Sequence, residues 1–339
     1  MNIKKIVLPE PPNVLKSIRI GFDAITKHLF LLLFPLGLDL LLWFGPRIQI
    51  KSLIGDLILE INKASQAFPA DFAQVMQEGE ALWEIAADRI NLLVALRSLP
   101  VGIFSLLPSI LPIKNPLGTP LTWEVPNLGG AFAFTALFFT IGLVLGGLYF
   151  LAVRQAAIHD EVKWRRIFKE WPRVSLQSFL LSLFWVAFFL TVLMLGSCAA
   201  TGLTLFSASL GEIAIILFGV VSLWLLFPLF FSPHGIYAQR ERAWRSLLSS
   251  VRLTNLTFMR TSLFIMLAII VNQGLHLVWQ VAPEESWLML ISILGNAFVT
   301  TGMISASFVY YQEINRWVDE LKALGTQQSI AEERPTLDN

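Results

Sequence analysis

Residues 128–153 read LGGAFAFTALFFTIGLVLGGLYFLAV, a run of twenty-six positions without any Asp, Glu, Lys or Arg. A helix rises 1.5 Å per residue, so about 20 such residues cross the hydrocarbon layer of a bilayer, which is roughly 30 Å thick. Backbone in lipid has no water to bond, and a helix satisfies its N–H and C=O groups within the segment. This stretch therefore predicts a transmembrane helix and places the chain among membrane proteins.

Five more stretches of similar length and composition lie along the chain. They cover residues 28–45, 176–202, 213–232, 261–281 and 287–311. Their lengths exclude an outer-membrane barrel, whose strands have about ten residues of alternating polarity. The sequence predicts an all-α fold: a polytopic integral membrane bundle of six transmembrane helices in three hairpins, with amphipathic helices at the interface.

The composition of the 339 residues agrees with this class. Hydrophobic residues make up 55% and charged residues 14%, whereas a soluble domain carries roughly 25% charged residues. The single Cys excludes a disulfide framework and a four-cysteine zinc site. The net charge of +1 excludes electrostatic nucleic-acid binding as the main activity. The sequence predicts no cofactor and no metal.

Basic residues indicate the orientation in the membrane. Nineteen of the 25 Lys and Arg fall in residues 1–27, 154–173, 234–260 and the C-terminal tail, which six spans place on one side. The short loops near 203–212 and 282–286, on the other side, contain none. By the positive-inside rule, both termini are predicted to be cytoplasmic. The predicted location is the plasma membrane, which is the inner membrane of a bacterium.

The predicted domain organisation is simple. One six-span membrane domain covers residues 1–325, with an extracytoplasmic insertion at 46–127 between its first and second spans. The polar residues 326–339 are predicted to be a disordered cytoplasmic tail, because they have too little apolar surface to bury.

The insertion divides into three parts. The spacing of its apolar residues predicts one amphipathic helix from about Ile50 to Ile61 and a second from about Asp71 to Arg97. Residues 99–126 contain six prolines, too many for a spanning helix, since each interior Pro removes a backbone hydrogen bond. Two interpretations of this third part stay open: an interfacial cap over the bundle, or a re-entrant loop.

Basic amphipathic stretches precede the first, third and fifth spans. They read LKSI (15–18), WRRIF (164–168) and WRSLL (244–248). Helices of this kind lie in the interface, where Trp sits at headgroup depth and bases meet anionic lipid. The predicted partners are therefore the lipid bilayer and anionic lipid headgroups at the cytoplasmic face. A membrane protein partner is left open.

Four polar side chains inside the predicted spans form a candidate intramembrane polar site. Asp39 in the first span and His276 in the fifth lie at similar depths below the outer surface. Asn272 shares a helix face with His276, and Asn296 in the sixth span is level with Asn272. Ionisable groups in lipid are costly and often functional, so an Asp39–His276 pair would suit a proton-linked site. Alternatively, these groups only hold the helices together.

Small residues predict where helices pack closely. Gly142, Gly146 and Gly147 in the second span form a Gly-x-x-x-Gly pattern, which lets another helix approach the backbone. The break SPHG at 232–235 marks the cytoplasmic end of the fourth span, and we expect its His234 to be an interfacial residue.

Signatures of catalysis are missing from the sequence. It contains no His-Glu-x-x-His, no Gly-x-Ser-x-Gly, no P-loop and no dinucleotide-binding glycine pattern. The sequence therefore favours a non-enzymatic scaffold or a regulatory, lipid-interacting membrane protein. The alternative is a small-molecule or proton-linked transporter with a polar site between spans one, five and six.

Residues 235–316 resemble a known membrane family. The resemblance rests on Trp244-Arg245 with Leu248 and Asn255 ahead of the fifth span, and on the closing FVYYQEINR at 308–316. This pattern resembles the six-span membrane domain fused to some bacterial glycerophosphodiester phosphodiesterases and its stand-alone YciC-like relatives. The resemblance implies a helical membrane fold. It lends no catalytic residue, because the soluble phosphodiesterase barrel has no counterpart in this chain.

Overall fold

The computed structural model describes residues 9–65, 79–80 and 83–333. Within them, five helices are long and apolar enough to cross a membrane: Leu128–His159, Trp164–Thr204, Ser209–Ala238, Phe258–Trp279 and Met289–Thr326. A bent pair, Val14–Lys27 and Leu29–Phe44, meets at 92° and passes the same test only as a pair, so the described part of the chain has five such spans, or six when the pair is counted as one. We call Leu29–Phe44 the first span and the five long helices the second to sixth spans. The predicted all-α membrane bundle is confirmed, and its spans contact a lipid bilayer.

In chain order, the α-helices and strands are α1 (Val14–Lys27), α2 (Leu33–Phe44), β1 (Arg47–Gln49), α3 (Lys51–Ser65), α4 (Leu107–Ile110), β2 (Thr122–Glu124), α5 (Leu128–His159), α6 (Trp164–Thr204), α7 (Ala208–Leu226), α8 (Ser232–Ala238), α9 (Ala243–Leu256), α10 (Phe258–Trp279) and α11 (Met289–Glu333). The 3-10 helices Leu29–Leu32, Leu92–Arg97 and Phe227–Leu229 lie between them. Helix α11 continues to Glu333, past residue 325, the predicted end of the six-span domain. Residues 334–339 of the predicted tail lie outside the described residues.

Helix α1 lies across the sixth span. Asn13 caps it by accepting a hydrogen bond from a backbone N–H of its first turn. The two helices are so close that a Cβ on Gly21 would lie 2.3 Å from the backbone nitrogen of Ala306. The hydroxyl of Ser17 donates to Glu313, with Oγ and Oε2 2.8 Å apart. The small and apolar face of α1 therefore packs on the bundle, and its charged face stays exposed.

The three stretches predicted to be interfacial helices fall into two structural classes. Residues 15–18 and 244–248 lie in separate amphipathic helices, α1 and α9. Residues 164–168 instead form the first turns of the third span, because α6 continues without a break through Pro172. A proline is tolerated inside a spanning helix when neighbouring groups satisfy the freed backbone.

A small parallel pair of strands closes the start of the insertion. Strand β1 pairs with β2, and Ile48 stands opposite Trp123. The side chain of Asn91 ties this pair to the next segment, because its Oδ1 accepts the backbone N–H groups of Ile48 and Leu93 at 3.1 Å each. These two short strands are an addition to the predicted all-helical architecture.

The second amphipathic helix predicted in the insertion, 71–97, is shorter than expected where the structure describes it. Residues 83–89 are helical, and the chain then breaks before the 3-10 helix Leu92–Arg97. The break follows from Asn91, whose extended backbone and side-chain oxygen cap the new helix. Residues 71–78 and 81–82 of this prediction lie outside the described residues.

Residues 92–106, which we call the re-entrant segment, pack directly on the second span. A Cβ on Gly142 would lie 2.2 Å from the carbonyl oxygen of Leu96, and one on Gly146 would lie 2.6 Å from Cα of Gly102. Real Cβ atoms essentially never come closer than 3.0 Å to another heavy atom. Glycine is therefore required at both positions for this backbone-to-backbone approach.

The position of this contact along the second span favours the re-entrant interpretation. The two glycines lie fourteen and eighteen residues after Leu128, about 21 and 27 Å along the second span at 1.5 Å per residue. Backbone that is not α-helical reaches such depth only where protein covers it, and Val101 and Leu106 are fully buried. Of the two interpretations for residues 99–126, this geometry agrees with the re-entrant loop as far as Leu106.

The rest of the Pro-rich stretch agrees with the other interpretation, an interfacial cap. It covers the outer end of the bundle, which is the end opposite the basic connections. The side chain of Asn115 donates to the carbonyl of Trp43 at 2.9 Å. Lys114 pairs with Glu285 at 3.0 Å, and this hydrogen bond raises the pKa of the Lys114 amine. These contacts join the cap to the first span and to the loop before the sixth.

The third and fourth spans form a hairpin that projects from the bundle. The ring of Phe218 sits over Gly196, where an added Cβ would lie 2.6 Å from it. Outward side chains such as Met194 and Ile216 remain more than two-thirds exposed in the protein alone, and in a bilayer they contact lipid. The first and second spans make no such simple hairpin, because the re-entrant segment lies between them.

Candidate functional site

A cavity of about 600 Å³ lies among the second to sixth spans and the re-entrant segment. Its fifth- and sixth-span wall carries amides and hydroxyls, whereas the wall from the second, third and fourth spans is mainly aromatic. Side chains that line it include Arg97, Leu99, Phe104, Phe150, Trp185, Phe189, Phe230, His234, Ile269, Asn272, Gln273, His276, Asn296, Thr300 and Ser307.

The polar wall is built by residues one helical turn apart. Asn272 and His276 project from the fifth span on one face, and Asn296 and Thr300 do the same on the sixth. Oδ1 of Asn272 and Nδ2 of Asn296 are buried and have no hydrogen-bond partner among the described residues. Buried polar groups normally have a partner, so these amides offer an acceptor and a donor to a bound molecule.

Arg97 enters the cavity from the re-entrant segment. Its guanidinium lies 5.9 Å from the ring centroid of Phe104, a cation–π geometry. In the described part of the chain, this guanidinium forms no hydrogen bond or ion pair. Arg97 is the last residue of the extramembrane helix predicted at 71–97 and was not predicted to be a site residue. The sequence does contain one indication of this role: Arg97 is the single basic residue in the apolar run LLVALRSLPVGIFSLL at 92–107.

His234 forms the floor of the cavity and is buried by protein. It is only 5% exposed, and its ring lies 4.7 Å from that of Phe308. Nε2 is 2.8 Å from Oγ of Ser307, whereas Nδ1 has no partner among the described residues. Gly235 permits close packing of α8 on α9, because a Cβ at this position would lie 2.2 Å from Oγ of Ser246.

Asp39 does not line the cavity. Its carboxylate accepts the backbone N–H groups of Leu106 at 3.0 Å and Leu107 at 2.9 Å, at the start of the short helix α4. The hypothesised Asp39–His276 pair does not form, because His276 bonds Gln280 at 2.8 Å instead. Of the four candidate residues, the structure brings Asn272, His276 and Asn296 together, and Asp39 holds the end of the re-entrant segment.

The three glycines singled out for helix packing have different neighbours. Gly142 and Gly146 receive the re-entrant segment, which is not a spanning helix. Gly147 faces side chains, with its added Cβ 3.2 Å from Oγ of Ser175 and 3.5 Å from the Tyr237 hydroxyl. Close approach occurs at all three, but a neighbouring span is not what approaches Gly142 and Gly146.

Among the residues that the structure describes, no three His, Cys, Asp or Glu side chains come together as a metal site requires. Comparisons with protein-family models, curated proteins and solved structures gave no match to this chain. The resemblance of residues 235–316 to the phosphodiesterase-linked membrane domain stays a prediction.

Proposed function

We propose that this chain is a non-enzymatic membrane protein that binds a lipid-like amphiphile in the intramembrane cavity and acts as a scaffold or regulatory component. One observation carries the proposal: a mainly apolar cavity is lined by side chains with buried polar atoms that have no partner among the described residues. They are Asn272 Oδ1, Asn296 Nδ2, His234 Nδ1 and Trp185 Nε1. An amphiphile would place its apolar atoms against the apolar lining and its polar atoms within hydrogen-bond distance of these unpartnered groups.

The chemistry of the cavity favours an anionic headgroup. Arg97 brings a positive charge to a place where charge is costly without a partner. The negative charge of Asp39 attracts the Arg97 guanidinium, but both carboxylate oxygens of Asp39 already accept hydrogen bonds from backbone N–H groups. The guanidinium is therefore available to a ligand. A volume of about 600 Å³ lies within the range of ordinary ligand sites, roughly 300–1,000 Å³.

The rim of the cavity supports access from the bilayer. Leu99 and Ile269 line the cavity and are more than half exposed in the protein alone. They lie beside the aromatic residues Trp185 and Phe189 of the projecting hairpin. A lipid chain in the surrounding leaflet therefore has an apolar route to the polar wall without crossing water.

Filling the rim with a larger side chain is expected to block binding. Ile269→Trp places an indole at a lipid-facing position, so the fold is retained while the cavity is occupied. With a diazirine-bearing phosphatidylglycerol in vesicles, we expect cross-linking to cavity residues to fall at least about fivefold, because the indole fills part of the roughly 600 Å³ that the headgroup would enter. Mass spectrometry of the cross-linked peptides measures it.

The matched control is Ile270→Trp, since Ile270 has nearly the same exposure, 57% against 56%, and does not line the cavity. The Ile270→Trp variant should show the same yield of cross-linked cavity peptides as the parent protein. Equal labelling of all three proteins at the cavity residues, or labelling confined to the outside of the bundle, would contradict the proposal.

Transport is the second candidate function, and the length of the cavity favours it. Asn296 and Ser307 both line the cavity and are eleven residues apart on one helix, about 16 Å at 1.5 Å per residue. Proton-driven uptake of a small solute into proteoliposomes, abolished by Ile269→Trp and kept by Ile270→Trp, would favour transport over binding alone. The polar site of such a carrier would lie between spans three, five and six, not one, five and six.

We also propose the orientation with both termini in the cytoplasm, in the plasma membrane of a bacterium. In a Cys198→Ala background, Glu285→Cys should react with a membrane-impermeant maleimide in intact cells. Arg245→Cys should react only after the membrane is opened, because its basic helix α9 lies inside. Labelling of Arg245→Cys from outside would reverse the orientation and with it the positions of cap and tail.

A further inference from the structure

A second cavity, of about 340 Å³, opens at the cytoplasmic end of the bundle. It lies where the second and sixth spans end, where the third begins and where α8 turns into α9. Three arginines line it: Arg154 from the second span, Arg166 from the third and Arg240 from the turn. It is separate from the intramembrane cavity and shares none of its lining residues.

The three guanidinium groups share one carboxylate. Glu170 lies 3.5 Å from Nη2 of Arg154 and 3.1 Å from Nε of Arg166, and it also bonds Arg240. Side-chain exposure of Glu170 is only 10%. One negative charge against three positive charges leaves the cluster with an excess of two.

The neighbouring carboxylates Asp160, Glu161 and Glu241 have partners other than the three arginines. Asp160 pairs with Lys27 at 2.6 Å, and Glu161 pairs with Lys163 at 2.6 Å. Both therefore have a cation of their own outside the cavity.

Arg154 is the innermost of the three and is incompletely bonded. It is 4% exposed, and its Nη1 donates to the carbonyl of Tyr237 at 2.6 Å. Its Nε and Nη2 are buried and have no hydrogen-bond partner among the described residues, although Nη2 lies within ion-pair distance of Glu170. A buried guanidinium with donors to spare is an uncommon and expensive arrangement. Such an arrangement is useful where a bound anion accepts hydrogen bonds from these N–H groups.

We infer that this cytoplasmic cavity binds a phosphate group, carried either by the headgroup of an anionic phospholipid or by free phosphate. Guanidinium forks bond phosphate oxygens in pairs. The excess of two positive charges matches free phosphate, which carries about −1.5 to −2 near neutral pH, and it also attracts the single negative charge of a phosphodiester headgroup. Gln239 and Gln312 line the same cavity and add neutral donors. The bound group would join the cytoplasmic ends of the second, third and sixth spans. The inference does not depend on what occupies the intramembrane cavity.

The test uses the full chain purified in dodecyl maltoside, with two probes. Inorganic phosphate is titrated at constant ionic strength against chloride, and binding is followed calorimetrically. Retention of phosphatidylglycerol through repeated detergent washes is followed by native mass spectrometry, in an Ile269→Trp background in which the intramembrane cavity is blocked. The variant Arg166→Gln with Arg240→Gln changes two half-exposed side chains, 49% and 54% exposed, and leaves buried Arg154 in place. Arg245→Gln is the control, since Arg245 is exposed and does not line the cavity.

We expect the parent and the control to bind phosphate or to retain phosphatidylglycerol, and the double variant to do so at least about tenfold less, because it loses two charge-assisted contacts. Phosphate binding alone assigns the free anion, and lipid retention alone assigns the headgroup. No response of the parent to either probe overturns the inference, as does equal binding by the double variant. If the double variant does not elute as a single folded species, Arg166→Gln alone is compared with Arg245→Gln by the same two measurements.

Discussion

Gly142→Ala should lower the midpoint of thermal unfolding in detergent by about 6–12 °C, one of the two largest effects expected of a single substitution in this chain. The added methyl would lie 2.2 Å from the carbonyl oxygen of Leu96 and 2.9 Å from its Cα. Backbone atoms cannot rotate away as a flexible side chain can, so the re-entrant segment would have to move. Overpacking of this kind costs about 3 kcal/mol at the upper end of its usual range.

The matched control is Gly219→Ala in the fourth span, where an added Cβ meets nothing within 4 Å. It should leave the midpoint unchanged or raise it slightly, since alanine is the better helix former. Gel filtration after heating at a series of temperatures gives both values. Equal midpoints for the two variants would mean that the segment does not rest on the second span at Gly142.

Asp39→Leu is expected to have an effect of similar size. The substitution removes the acceptor of two backbone N–H groups, those of Leu106 and Leu107, which are both fully buried. An unsatisfied buried N–H costs about 1–3 kcal/mol, and more where lipid replaces water. The total loss should therefore be about 2–6 kcal/mol, measured as a fall in the unfolding midpoint or in the yield of folded protein.

Two further variants make this prediction specific. Asp39→Asn keeps one acceptor oxygen and should lose about half as much stability. Leu40→Ala, at a partly exposed position of the same helix, should lose much less. If Asp39→Asn kept full stability and instead abolished pH-dependent uptake into proteoliposomes, Asp39 would belong to a proton-linked site and not to the fold.

The spans were predictable because their physical cause is local. A charge-free run of the length of residues 128–153 has few stable states in lipid other than a helix, whatever its neighbours are. The same holds for α9, whose amphipathic pattern is visible in the sequence. Residues 164–168 have a similar pattern but remain part of the third span, because no residue there breaks the helix. Where one helix ends depends on its tertiary contacts as well as on its own composition.

The re-entrant segment could not be predicted in the same way. The apolar residues between Leu99 and Pro126 suit an interfacial cap and a buried loop equally well, and prolines only exclude a spanning helix. The choice is made by the glycines Gly142 and Gly146, some forty residues later in the chain. Their spacing was recognisable as a place of close approach, but nothing local says that a loop and not a helix would fill it.

The candidate site was predicted in part. Depth along the helices placed Asn272, His276 and Asn296 near one another, and they line one cavity. Depth also placed Asp39 level with them. Its carboxylate instead accepts hydrogen bonds from the backbone N–H groups of Leu106 and Leu107, and hydropathy alone does not predict where that segment lies. Arg97 and His234 were missed as site residues because the short helices that carry them, Leu92–Arg97 and α8, are positioned by contacts far away in sequence.

The position of the re-entrant segment has a consequence for how the protein is made. Leu96 and Gly102 leave the ribosome some forty residues before the glycines that they contact. Until the second span inserts, the segment therefore stays exposed on the side of the bilayer where α3 lies. It can enter only from that side, after the second span is in place. Chains truncated just before Gly142 should therefore present this segment to a protease added on that side, and chains extended through the sixth span should protect it.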